Sequence, residues 1–124
     1  MEATEQASSS AATAALMERF NAVFLHHDPT ALPGMIAEDC VIEKINPVPG
    51  GERCVGREAC VALWTEIATA PGTHFDLEET FAMGERAIIR WRLWTSDTTS
   101  RRGVNLMRVR DGLIVEAMGY VKGA

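Results

Sequence analysis

Residues 103–120, GVNLMRVRDGLIVEAMGY, form two alternating runs separated by Asp111-Gly112, a pair that tolerates the positive φ of a tight hairpin turn. They predict antiparallel strands over Gly103–Arg110 and Leu113–Val121. On the first strand Asn105 shares a face with Met107 and Val109, two groups suited to a core. An unpartnered amide on a buried face costs about 1–3 kcal/mol. Asn105 therefore calls for a structural partner or a ligand.

Working outward, Phe75–Met83 and Ala87–Thr95 read as two further strands, bounded by Gly84-Glu85 and by the polar stretch SDTTSRR. Each separator is short enough for a hairpin, so four strands form a meander. Upstream, Cys40–Ile45 has strand character, and NPVPGGER ends it because Pro and Gly sustain neither period. Leu16, Phe20, Val23, Phe24 and His27 recur at helical spacing, and Asp28-Pro29 closes that helix while capping a second, short one around Leu32, Met35 and Ile36. A third helix opens at Gly56-Arg57-Glu58, buries Cys60, Leu63, Trp64 and Ile67, and breaks at Ala70-Pro71-Gly72. The expectation is an α+β domain. Three N-terminal helices pack in the concave face of a strongly curved, mostly antiparallel sheet, leaving a cone-shaped pocket. Residues 1–10 are expected to be a flexible tail and 11–124 a single domain.

The charge pattern excludes some function classes. Twelve Lys and Arg against seventeen Asp and Glu, without basic clusters, leave no footprint for nucleic acid. Three cysteines, Cys40, Cys54 and Cys60, form no CxxC pair, so neither a disulfide framework nor a zinc ribbon is encoded and a reducing cytoplasm is expected. The polar start MEATEQASSS and the lack of an eighteen-residue apolar run predict neither export nor a membrane span. The three histidines lack ligand spacing with Asp, Glu or Cys, so no metal is expected.

Several residues carry two readings. Glu43 is a solvated strand-end carboxylate or a general base. His74, at the start of a strand, is a surface group or a base at the pocket mouth, whereas His26 and His27 suit a helix C-terminus. Phe20, Phe24, Trp64, Trp91, Met35 and Met107 serve as core or as the lining for a flat apolar ligand. Alternation places Ala87, Ile89, Trp91 and Leu93 inward and sends Arg90 and Arg92 outward, to Glu78, Asp76 or a dimer partner.

The element order, with IAEDCVIE at 36–43, NPVPGGERCVGREA at 46–59, FDLEETFAMGERAIIRWR at 75–92 and RGVNLMRVRDGLIVEAMGYVKG at 102–123, resembles the nuclear transport factor 2-like superfamily and, within it, the SnoaL-like proteins. The resemblance runs from about Ala15 to Gly123. It implies a cone that dimerises through its sheet and hosts ketosteroid isomerisation, polyketide cyclisation, epoxide hydrolysis or dehydration without metal or organic cofactor.

The resemblance places Asn105 where the isomerases carry an oxyanion-hole aspartic acid, Phe20 at their tyrosine and Asn46-Pro47 at their general-base aspartate, with Glu43 the nearest carboxylate. Set on the epoxide hydrolases, Arg90 matches the arginine, which would turn it into the pocket against the alternation and leaves its side of the sheet open, while Arg92 and Gly119 stand where aspartates are needed. Gly119 also falls at the acid/base aspartate of the cyclases, and RGVN replaces an RGVD pattern of unassigned relatives. The expectation is a hydrophobic small-molecule pocket with Asn105, Glu43 and His74 as catalytic candidates and Phe20, Phe24, Trp64, Trp91, Met107 and Gly119 against the ligand. Two functions stay open: proton transfer next to a carbonyl, in an isomerase or cyclase, or a non-catalytic binding or accessory protein of the same fold.

Overall fold

The computed structural model describes residues 2–123. Helix α1 spans Glu2–His26, a 3₁₀ turn Leu32–Met35, β1 Ile36–Glu43, β2 Arg53–Val55, α2 Arg57–Thr69, β3 His74–Met83, β4 Arg86–Trp94, β5 Ser100–Arg110 and β6 Leu113–Val121. The six strands form one curved sheet in the order β2-β1-β6-β5-β4-β3. Among the described residues only the β1–β6 pair is parallel.

Alternation decides which face is covered. Ala87, Ile89 and Trp91 of β4, Met107 and Val109 of β5, and Ala117 of β6 are buried under Leu16, Met17, Phe20 and Val23 of α1. Cys60, Trp64 and Ala68 of α2, spaced four apart, complete the lid over the same face. Arg90 does point outward, and it pairs with Glu79 at 3.1 Å. A register shift between Leu77 and Glu79 brings that carboxylate, in place of Glu78 or Asp76, beside Arg90. Glu78 instead receives a two-pronged contact from Arg102 at 2.9 and 2.7 Å, and the Arg92 guanidinium lies 5.4 Å from the Trp94 ring.

Four features depart from the sequence expectation. Helix α1 extends back to Glu2, through the stretch whose polarity suggests a tail; Met1 lies outside the described residues, as do the side chains before residue 9. The Thr13 hydroxyl donates to Gly84 O and the Gly84 N–H donates to the Ser10 hydroxyl, both at 2.7 Å, so the β3–β4 turn holds this end of the helix. The described residues form two α-helices where three were expected. Pro33 lacks an N–H and Gly34 disfavours helix, and Leu32 and Gly34 instead donate three residues back, to Pro29 O and Ala31 O, as in a 3₁₀ turn. Strand β1 starts at Ile36, before Cys40, with an irregularity between Ile36 and Val41, and Arg57 Nε donates to Ile36 O at 2.8 Å. Finally, Arg53–Val55 pairs with Val41–Glu43 as a strand too short to show alternation.

Candidate active site

Between α1, α2 and the covered sheet face lies a cavity of about 420 Å³. Its wall is a chain of edge-on aromatic contacts: Phe24 to Phe20 at 5.0 Å, Phe20 to Trp64 at 4.8 Å, Phe24 to Phe75 at 5.7 Å and Phe75 to Trp91 at 5.8 Å. Leu77, Ile89 and Ala117 extend the apolar lining across the sheet, and Asn21, held by its Nδ2 donating to Thr80 Oγ1 at 3.1 Å, adds a polar group on α1.

Asn105 lines this cavity from the middle of β5. Trp91 Nε1 donates to Asn105 Oδ1 at 3.1 Å. An indole N–H only donates, so the bond fixes the amide with its oxygen toward Trp91 and leaves the NH₂ as the end available to a ligand. Asn105 Nδ2 has no partner among the described residues and is not sealed from solvent. The question posed by the sequence thus has both answers at once: the oxygen has a structural partner, and the donor faces open space.

Two glycines make this arrangement sterically possible. Gly103 is the register partner of Trp91, and a Cβ there would sit 2.5 Å from Trp91 Cζ2 and 2.5 Å from Tyr120 O. Its bare backbone lets the indole lie over β5 and reach Asn105, two residues along the same face. Gly119 is the register partner of Asn105, and a Cβ there would come 3.2 Å from Ile45 Cγ1 and 3.4 Å from Asn105 Oδ1. No carboxylate occupies that side of the amide.

The other candidates separate. Phe20, Phe24, Trp64, Trp91 and Gly119 line the cavity with Asn105, and Glu43 stands at its rim, 3.9 Å from Arg53 Nε. Met107 does not line it: at 1% exposure it is core, because Ala87 and Ala117 flank it on the neighbouring strands and the helices cover it. His74 does not line it either. It stacks on Trp94 at 6.0 Å on the exposed side of the sheet, since its register with Trp94 continues the outward alternation of Arg92. His27 instead bonds Ala68 O through Nδ1 at 2.9 Å, tying the end of α1 to α2.

Lys44, Asn46, Glu66 and Arg101 also line the cavity. Of these, Arg101 was legible from alternation with Gly103 and Asn105, but the polar run before Gly103 obscured the start of the strand. The three thiols are free; Cys60 Sγ donates to Cys40 O at 3.4 Å, and burial pushes the Cys40 and Cys60 thiols up from their ordinary range. Among the described residues no group of three or more His, Cys, Asp or Glu is arranged to hold a metal, and no helix is long and apolar enough to cross a membrane.

A model of the SnoaL-like domain matches residues 17–117. The chain belongs to the SnoaL-like family. No curated protein matches this SnoaL-like chain. Among solved structures it is similar to a nuclear transport factor 2-like protein of unknown function from Mesorhizobium loti, with 67% identity over 92% of this chain and 93% of that one and a TM-score of 0.90. A steroid delta-isomerase from Pseudomonas aeruginosa shares the fold at 18% identity and a TM-score of 0.75, covering 91% of this chain and 81% of that one. So does a putative polyketide cyclase from Sinorhizobium meliloti, at 19% identity and a TM-score of 0.69, covering 85% and 93%.

Proposed function

We propose that this SnoaL-like protein binds a hydrophobic carbonyl compound, with Asn105 Nδ2 donating to the carbonyl oxygen and Glu43 moving a proton at the adjacent carbon, as in an isomerase or cyclase. The observation that carries this reading is the Trp91-to-Asn105 bond, which commits the amide to presenting its donor to an apolar cavity. A preorganised donor aimed at a carbonyl oxygen stabilises the enolate formed when the neighbouring C–H is deprotonated. An amide donates at every pH, so it supplies this contact without the raised pKa that a carboxyl group in the same place requires. Two solved structures that share the fold carry the names steroid delta-isomerase and putative polyketide cyclase, which fits this reading. The working unit in this reading is a cytoplasmic, cofactor-independent homodimer joined through the sheet.

A second reading, non-catalytic binding in the same cavity, is favoured by two observations. Glu43 faces Arg53 at the rim, and Gly119 leaves the amide without a nearby acid. Bicyclic 2-tetralone in D₂O separates the two. The enzyme reading expects a raised melting temperature and accelerated deuterium exchange at the carbons beside the carbonyl. Exchange is then lost in Glu43→Gln and falls by about 10²–10³ in Asn105→Leu. Stabilisation without accelerated exchange selects the binding reading. Equal stabilisation of wild type and Asn105→Leu overturns the role given to Asn105 in both.

A further inference from the structure

The cavity opens past Glu43, Lys44, Asn46 and Arg101 into a second hollow of about 740 Å³, bounded by the loop at 46–50, the start of β5 and the end of β6. This vestibule carries Lys44, Arg92, Arg101, Arg102 and Lys122 against one carboxylate, Glu43, on a chain whose net charge is -5. Part of that charge is already engaged. Arg102 is held by Glu78, Glu43 faces Arg53, and Arg92 lies over Trp94. Lys44, Arg101 and Lys122 have no ion pair or side-chain hydrogen bond among the described residues. Glu66, the other acid at the cavity rim, lies on α2 and does not line the vestibule.

Unpaired cations around a concave space concentrate anions there. A guanidinium offers a planar fork that matches a carboxylate, and an ammonium adds a point charge. Arg101 and Asn105 share the inward face of β5 four residues apart, which is about 14 Å along the strand. A molecule whose carbonyl oxygen accepts from Asn105 Nδ2 and whose far end reaches Arg101 must therefore be elongated, apolar in its body and anionic at that far end.

We propose that the vestibule is an anion subsite and that the ligand class is an elongated carbonyl compound bearing a carboxylate, bound by Arg101 and Lys44. The body rests on the carbonyl-binding reading above; the anion subsite rests on the vestibule's own residues. The matched probes are 3-oxo-5β-cholan-24-oic acid and its methyl ester, titrated into the full chain by calorimetry at low and high salt. The acid is expected to bind at least about tenfold more tightly than the ester at low salt, with the gap narrowing as salt screens it. Arg101→Gln and Lys44→Gln are expected to close the gap by weakening acid binding far more than ester binding. Acid and ester binding equally, or a gap that survives both substitutions, overturns the anion subsite and leaves the carbonyl reading standing. Acid affinity unchanged in Asn105→Leu but lost in Arg101→Gln supports the subsite and overturns the carbonyl contact. Binding of neither probe overturns both.

Discussion

Trp91 Nε1 and Asn105 Oδ1, 3.1 Å apart on neighbouring strands, couple the apolar wall of the cavity to an amide that lines it. Without the indole the amide is free to turn, and its oxygen competes with its nitrogen for the open side. Trp91→Phe keeps most of the apolar surface and removes the donor. It is expected to weaken ketone binding and to cost about 1–2 kcal/mol of stability through the lost bond and the smaller ring. A double-mutant cycle with Asn105→Leu checks the mechanism: the two effects on binding must be markedly less than additive, because one acts through the other.

Gly103 and Gly119 make opposite demands on a methyl group. At Gly103 the added carbon meets an indole and a backbone carbonyl at 2.5 Å, and neither yields easily. Gly103→Ala is expected to destabilise by about 3 kcal/mol or more, by displacing Trp91. At Gly119 the approaches are 3.2 and 3.4 Å to the Ile45 and Asn105 side chains, which need to shift by only a few tenths of an ångström. Gly119→Ala is expected to cost under about 1 kcal/mol while narrowing the space beside the amide. Urea denaturation measures both, and equal costs would show that the indole is not held by β5.

On the opposite side of the fold, Arg110 Nη2 donates to Asp39 Oδ1 at 2.8 Å, and this bond holds the Asp39 carboxyl below its ordinary value of 3.8. A carboxylate with a lowered folded-state pKa contributes stability that is complete above the unfolded value and lost as pH falls through the folded one. Melting temperature should therefore drop more steeply below about pH 4 in the wild type than in Arg110→Gln, with the two curves parallel at neutral pH. Exposure of the pair and screening keep the difference small. Identical acid limbs would show that the bond is not maintained in solution.

What the sequence disclosed and what it hid follow one rule. Features set by local sequence were legible: the outward Arg90, the inward Trp91 and the polar exception at Asn105 follow from counting by two, and the Asp111-Gly112 hairpin from residues that tolerate positive φ. Features set by distant partners were not. The N-terminal half of α1 is held at Ser10 and Thr13 by Gly84, more than seventy residues away, β2 exists only because β1 lies beside it, and His74 is drawn to Trp94 across a strand pair. The site shows the same division. Asn105 announced itself by breaking a pattern, whereas Gly103 and Arg101 gained their roles only from the indole and the vestibule beside them.

The outward sheet face carries the last prediction. Phe81, Ile88, Leu106 and Met118 are consecutive register partners across β3, β4, β5 and β6, so they form one apolar row perpendicular to the strands. Phe81 is 49% and Leu106 40% exposed, and Tyr120 at 50% continues the patch. A row of this kind on a sheet face, flanked by the Arg90–Glu79 and Arg108–Glu116 pairs, has the apolar centre and charged rim of a subunit contact. A two-fold axis through the sheet would set the row against its own copy. Sedimentation equilibrium is then expected to give a dimer for the wild type and a folded monomer for Leu106→Arg, which places two like charges near the axis. Ketone binding should survive in that monomer, because the cavity lies on the other face of the sheet. A wild type that sediments as a monomer at micromolar concentration would overturn the sheet-face contact.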